Sequence, residues 1–245
     1  VSLPVVAVPL SVVRRQGWRA ASRGLICGYV DSYTLLTFGL YTSFMSGNTI
    51  ATGMNGGQAK YAAASHALLP IPFFVLGATL GFLMQKAKSQ QQNSRVSMCV
   101  AALLLLEVAA AIGAASLSVC VMILSCAMGM MNTTVSQVGG QSVNLGFVTG
   151  DLKNLGEHVA NIVYGAPVAQ SQGSWDTHWR RIFLLGGIWT CFLVGAIGGA
   201  AMATRVHVWT LMLPALFLVL LVVTERSAGS PAVVAPQILG GHLEA

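Results

Sequence analysis

Between Val96 and Val138 the chain runs for 43 residues with a single charged side chain, Glu107. As one helix this stretch would be about 60 Å long, twice the hydrocarbon thickness of a bilayer. It must therefore fold back on itself, and the small polar residues Ser116 to Ser118 mark the expected hairpin. Apolar stretches of spanning length also occur at Leu25 to Met45, Ala67 to Met84, Ile182 to Met202 and Val208 to Val223. With the two halves of the long run, Val96 to Ala115 and Val119 to Val138, they predict six transmembrane helices. Composition agrees, because only 8% of the residues are charged, against about 25% in an average soluble domain. The predicted fold class is an all-α polytopic membrane protein.

A net charge of +6 would point to nucleic acid in a soluble protein. Here the basic residues sort by loop instead. Arg14, Arg15, Arg19 and Arg23 precede the first span; Lys86, Lys88 and Arg95 lie between spans two and three; Lys153, Arg180 and Arg181 lie between four and five; Arg226 follows span six. Only Lys60 and Arg205 fall on the other side. The positive-inside rule then places both termini in the cytoplasm or its organellar equivalent, which leaves the choice of membrane open. The surplus serves topology, and recognition of anionic lipid by the Arg14 to Arg23 cluster is the secondary reading. The partner implied by composition is the bilayer, with no nucleic acid. Residues 1–23 form a basic N-terminal segment and 226–245 a loose C-terminal tail.

Five cysteines lie in or at the ends of apolar spans without CxxC spacing and read as packing residues. The triplet Asn132-Thr133-Thr134 lies inside span four, out of reach of a glycosyl transferase. His66, His158, His178, His207 and His242 are scattered over loops and tail, so no metal site and no cofactor is expected. Hydrolase, metalloprotease, P-loop and dinucleotide fingerprints are lacking, and no pair of acids has catalytic spacing. An enzyme is not expected.

The two halves of the chain repeat one another. "GYVD" (28–31) aligns with "GMMN" (129–132), "FMSGNTIATG" (44–53) with "FVTGDLKNLG" (147–156), and "FFVLGATLG" (73–81) with "CFLVGAIGG" (191–199). The offsets are 101, 103 and 118, so the second half carries its insertion in the polar loop before span five. A first unit at 24–115 and a second at 116–225 each hold three spans. An odd number of crossings reverses direction, so two such units lie in the membrane with opposite orientation, an architecture common among secondary transporters and found also in channels and scaffolds.

Asp31, about seven residues into span one, needs a reason to be there, since a carboxylate in the bilayer costs a few kcal/mol unless it faces protein or water. It shares a helical face with Thr34, Phe38, Tyr41 and Thr42, and its repeat partner Asn132 shares one with Ser136 and Gly140. Two readings stand: a titrating or solute-binding group, and a structural hydrogen bond to a neighbouring helix. The stretch Ser46, Gly47, Asn48, Thr49 suits a broken or capped helix end, as does Thr149, Gly150, Asp151 in the other half. Such breaks are tolerated at membrane depth where they are buried or line a cavity. Glu107 is the second buried acid and has no evident partner in span six. Gly77-xxx-Gly81 and Gly195-xxx-Gly199 are close-packing faces, which could also join copies of the chain into a homo-oligomer.

"GYVDSYTLLTFGLYTSFMSGNTIATG" (28–53) resembles the signature of the YoaK-like family, a six-span membrane domain of unknown function. The family pattern of Gly-Tyr-x-Asp, a Phe about a dozen residues on, and Met-Thr/Ser-Gly-Asn-Thr falls on Gly28, Tyr29, Asp31, Phe44, Met45, Ser46, Gly47, Asn48 and Thr49. Ser46 stands where Thr is usual and keeps the hydroxyl. The resemblance extends more weakly over residues 24–225 and implies six helices and membrane residence, but no substrate. The expected function is secondary transport of a small polar solute. Asp31 and Glu107 would be coupling groups for a proton or cation, with Asp31, Ser46, Gly47, Asn48, Thr49, Asn132, Thr149, Gly150 and Asp151 around the solute. The alternative is a membrane scaffold or accessory subunit.

Overall fold

The computed structural model describes residues 9–86, 92–143, 145–146, 148–169 and 171–227. Lys88, Phe147, His242, the first eight residues of the basic segment and the tail after Ser227 lie outside them. Among the described residues, nine α-helices follow in chain order: α1 (Leu10–Phe38), α2 (Met45–Gly57), α3 (Tyr61–Leu68), α4 (Pro70–Lys86), α5 (Gln92–Ile112), α6 (Leu117–Asn132), α7 (Val148–Val163), α8 (His178–Val206) and α9 (Met212–Ser227). Strands β1 (Gln137–Val138) and β2 (Gln141–Ser142) form a small antiparallel hairpin, and a 3-10 turn (His207–Leu211) precedes α9.

Among the described residues, Tyr61–Lys86, Gln92–Ile112 and His178–Arg226 are long and apolar enough to cross a membrane, and Leu117–Asn132 is a shorter apolar helix. The stretch His178–Arg226 is divided at His207, whose φ of 51° no α-helix accommodates. The uncharged run folds back as expected: α5 stops at Ile112, Ala114 turns with φ 55°, and α6 begins after Ser116. Ile26, Val30, Val100, Leu104, Leu124, Met128, Leu185, Ile188 and Leu218 form a core shared by α1, α5, α6, α8 and α9. Outside it, Val75, Phe82 and Leu83 of α4, Leu106 of α5, Val194 and Ile197 of α8, and Leu216 and Leu220 of α9 are exposed. Apolar side chains in such numbers on the outer surface of a helical bundle fit a lipid environment.

Helix ends differ from the spans drawn by hydropathy. The first helix starts at Leu10, well before Leu25, so the boundary after residue 23 falls inside α1, and it stops at Phe38 rather than Met45. The fourth stops at Asn132 rather than Val138. The basic residues of α1 are not all free topological markers. Arg23 is only 1% exposed and donates to Ser97 Oγ of α5 (3.2 Å) and Glu225 Oε1 of α9 (3.4 Å), while Arg19 Nε lies 3.0 Å from the same Glu225 oxygen.

Glycines set the two tightest helix pairs. In α1 and α8, Gly28 abuts the Phe192 carbonyl, and Gly195 and Gly199 abut the carbonyls of Leu25 and Tyr29. In α4 and α6, Gly77 abuts the Cys126 carbonyl, Gly129 that of Phe74, and Gly81 the Thr133 side chain and the Met130 carbonyl. A Cβ at any of these would overlap the facing atoms, so only glycine lets the backbones come this close. The Gly77/Gly81 and Gly195/Gly199 faces are thereby taken up within the chain, and a contact between copies has to use another surface. Gly28→Ala is expected to destabilise the protein by about 1–3 kcal/mol through overpacking. At Gly53, where a Cβ meets nothing, Ala is expected to be neutral or to stabilise by up to about 1 kcal/mol. Thermal unfolding of the two variants in detergent checks the contrast.

Candidate functional site

Gly39 closes α1 in the left-handed conformation (φ 70°), and the chain runs without helix to α2 at Met45. The backbone amides freed there need acceptors, because an unsatisfied buried N–H costs about 1–3 kcal/mol. Asp31 supplies them. Its Oδ1 accepts from the Thr42 N–H (2.9 Å), the Ser43 N–H (2.7 Å) and the Thr42 hydroxyl (3.3 Å), and its Oδ2 accepts from the Ser43 hydroxyl. Asn48 closes the other flank: its Nδ2 donates to the Tyr41 carbonyl (2.6 Å) and its Oδ1 accepts from the Tyr41 N–H (3.1 Å).

The break therefore exists, but it occupies 39–44, and Ser46 to Thr49 form the first turns of α2. Glycine is needed at 47 for space rather than for backbone freedom. A Cβ there would sit 2.7 Å from Phe44 and 2.9 Å from Tyr41, whose rings meet edge to face at 5.3 Å. Thr49 is exposed and its hydroxyl donates to the Met45 carbonyl within its own helix, and Ser46 is half-buried.

The second half has a matching break. α6 ends at Asn132, where the hydroxyls of Thr133 and Thr134 turn back to the Met130 and Met131 carbonyls. The β1–β2 hairpin, turning on Gly139 and Gly140 with positive φ, then fills the interval to α7. Asn132 Oδ1 accepts from the Gly146 N–H (3.0 Å), and its Nδ2 donates to the Met128 carbonyl (2.9 Å). Asp151, 1% exposed, lies in the first turn of α7, the favourable end of the helix dipole for a carboxylate. The two breaks touch: a Cβ on Gly146 would lie 3.0 Å from the Ser43 carbonyl oxygen.

Beside this contact is a cavity of about 300 Å³, lined by Gly28, Asp31, Tyr41, Phe44, Thr149 and Phe192 among others. Of the residues expected around the solute, Asp31 and Thr149 line it. Ser46, Gly47, Asn48, Thr49, Asn132, Gly150 and Asp151 are not part of its wall; of these, Asn48 and Asn132 bond to the backbone of the breaks. The helix facing α1 across the cavity is α8, because the glycine contacts bring α1 against α8 and α6 against α4. Glu107 is elsewhere: it is 0% exposed on α5, with the Cys120 thiol and Tyr33 beside it.

Sequence reasoning missed a second polar cluster. The loop after α7 brings His158 and His178 together, Nδ1 to Nδ1 at 3.0 Å. His178 Nε2–H donates to the Ala166 carbonyl (3.0 Å), and His158 Nε2 faces Gln141 Oε1 (2.8 Å). Arg181 holds Asp176 in a fork, Nε to Oδ1 at 2.9 Å and Nη2 to Oδ2 at 2.7 Å. The available signal was composition: two histidines, Asp176 and Arg181 flank one polar loop between apolar helices. Burial would raise the Asp176 carboxyl, but the Arg181 bonds and the Gln172 N–H bring it below its ordinary value. Burial, with Arg181 and His178 beside it, holds His158 below the ordinary imidazole value.

The folded state thus binds a proton at His158 less readily than the unfolded chain does. Its contribution to stability is fully present above the unfolded value of about 6.5 and is lost as pH falls through that value toward the lower folded one. The unfolding midpoint is expected to drop across this window, and His158→Asn to flatten the drop. An unchanged pH profile in the variant would place the origin elsewhere. At Asp31, Ala is expected to cost about 2–6 kcal/mol, since two backbone amides lose their acceptor. Asp31→Asn, which reproduces the Asn132 arrangement, is expected to cost less, and the same unfolding measurement separates the two.

A bundle of long apolar helices with a lipid-type exterior and a buried polar break defines a helical membrane protein. The profile of the DUF1275 family, described as a protein of unknown function, matches residues 21–224, and the chain belongs to that family. The YoaK-like proteins that it resembles are members of the same family. Comparison with curated proteins and with solved structures gives no match.

Proposed function

We propose that the chain is a secondary transporter of a small polar solute, coupled to a proton or cation, built from six spans in two inverted three-helix repeats. The observation that carries this reading is the cavity beside the point where two polar-stapled helix breaks meet. The repeat is supported by the contacts themselves. Gly28 faces Phe192 as Gly129 faces Phe74, and Gly195 faces Leu25 as Gly77 faces Cys126, with the offsets of 101 and 118 that relate the two halves of the sequence. Asp31 accepts from Ser43 as Asn132 accepts from Gly146. A pseudo-two-fold axis in the membrane plane generates such a pattern. The distribution of basic residues supports both termini on the cytoplasmic or equivalent side.

In this reading the solute lies against Tyr41, Phe44 and Phe192, with Asp31 and Thr149 as its polar contacts. Asn48 and Asn132 hold the breaks in shape, and Ser46, Gly47, Thr49, Gly150 and Asp151 lie in the helix starts that follow them. Rocking one repeat against the other opens the Ser43–Gly146 contact. Asp31 couples because a proton or solute that takes up its charge loosens its hold on Thr42 and Ser43, and Glu107 is the second coupling group. The four hydrogen bonds that Asp31 already accepts favour one other reading, a membrane scaffold in which the carboxylate is a staple only.

The test is the unfolding midpoint of detergent-purified protein against small polar solutes and ions at two pH values, for wild type and Asp31→Asn. A ligand at a hundredfold excess over its dissociation constant stabilises by about 2.7 kcal/mol. The transporter reading expects one solute class to raise the wild-type midpoint and Asp31→Asn to lose the effect or its pH dependence. If no solute acts and the variant is merely less stable throughout, the scaffold reading replaces it.

A further inference from the structure

A second cavity, of about 420 Å³, lies away from the breaks, between the N-terminal half of α1, the β hairpin and the start of α8. Its floor is apolar: Val13, Gly17, Leu184, Ile188 and Cys191. Its charged lining is Arg14 and Arg180, together with the buried Arg181 and Asp176. The Asp176 carboxylate is taken by Arg181 through two hydrogen bonds, so that pair is neutral toward a ligand. Among the described residues, neither Arg14 nor Arg180 meets a carboxylate, and the Arg180 guanidinium lies over the Trp175 ring, 5.2 Å from its centroid. Trp18 and Phe183, both mostly exposed, stand at the mouth, and Trp179 is exposed beside Phe183.

Exposed tryptophans at the ends of apolar helices mark the headgroup level of a bilayer, and uncompensated arginines there attract anionic lipid. The cavity combines both with an apolar floor that a hydrated inorganic anion would leave unused. We propose that it is a binding site for an anionic phospholipid, with the phosphate between Arg14 and Arg180 and an acyl chain along Leu184, Ile188 and Cys191. The inference is independent of transport. It gives the N-terminal half of α1 a ligand of its own, separate from the role of Arg19 and Arg23 in gripping Glu225.

Gly187 provides a clean probe. It lines the cavity, and a Cβ there meets nothing within 4 Å, so a side chain added at this position starts in open space beside the cavity. Full-length protein in neutral detergent would be titrated with dioleoyl phosphatidylglycerol, dioleoyl phosphatidylcholine or inorganic phosphate, with bound lipid read by native mass spectrometry and the unfolding midpoint followed. Phosphatidylglycerol is expected to bind in preference to phosphatidylcholine. The Arg14→Gln/Arg180→Gln variant should weaken it on the order of tenfold or more, leaving phosphatidylcholine unaffected. Gly187→Leu should weaken it with Arg14 and Arg180 intact, and Arg14→Lys/Arg180→Lys should retain the preference for negative charge. Equal binding of the two lipids overturns the proposal, as does unchanged phosphatidylglycerol binding in both the Gln and the Leu variants. A stabilisation by inorganic phosphate as large as that by the lipid overturns it in favour of a soluble anion.

Discussion

Two backbone amides, those of Thr42 and Ser43, find their acceptor in one carboxylate oxygen of Asp31. This is the constraint around which the site is organised. In a helix every interior amide is satisfied locally, so a chain that leaves the helix inside an apolar bundle must bring its own acceptors. Asp31 does so from one side of the break and Asn48 from the other, so the Tyr41, Thr42 and Ser43 amides are all bonded where the chain departs from helix. The cavity lies beside this break, with Tyr41 and Phe44 of the non-helical stretch in its wall.

The glycine contacts supply the second condition. With Gly28 against Phe192 and Gly199 against Tyr29, α1 and α8 approach until backbone touches backbone, and Phe192 becomes a wall of the cavity that Asp31 enters from α1. Without a hydrophobic driving force between helices in lipid, such close packing is what holds them. The same residues that stabilise the bundle thus fix the width of the candidate site. Arg23, buried between α1, α5 and α9 and paired with Glu225, ties the opposite end of α1 into the bundle. The candidate solute site and the lipid cavity sit along one helix whose two halves are anchored by different chemistry.

Much of this was legible in the sequence where the signal was a sum over many residues. The hairpin in Val96 to Val138 follows from length and the lack of charge, and the importance of Asp31 from the cost of a carboxylate among apolar neighbours. Helix ends were not legible, because Leu40, Tyr41 and Phe44 are as apolar as the helix before them, and hydropathy does not register that Gly39 turns the chain. Asp31 could be read as buried, but its partners eleven and twelve residues on depend on that turn. The His158–His178 pair escaped for a different reason: the contact is made by the loop after α7, whose path leaves no periodic trace. Arg23 looked like one more basic residue, and only packing reveals that it is a buried one.

The two breaks are alike in geometry and unlike in charge. Asp31 and Asn132 each accept a hydrogen bond from the backbone of the following break, but only one of them is ionisable, and only Asp31 lines the cavity. An amide at 132 donates to Met128 with the nitrogen that replaces the second carboxylate oxygen, so its break is tied back into its own helix and has no charge to lose. At 31 the second oxygen accepts a charge-assisted hydrogen bond from the Ser43 hydroxyl, whose strength depends on the carboxylate keeping its charge. A symmetric pair of carboxylates would place two like charges near one junction and raise the cost of both. A pair of amides would leave the junction indifferent to charge. The combination present gives one break without charge and one with it, and that asymmetry is what the proposed coupling would draw on.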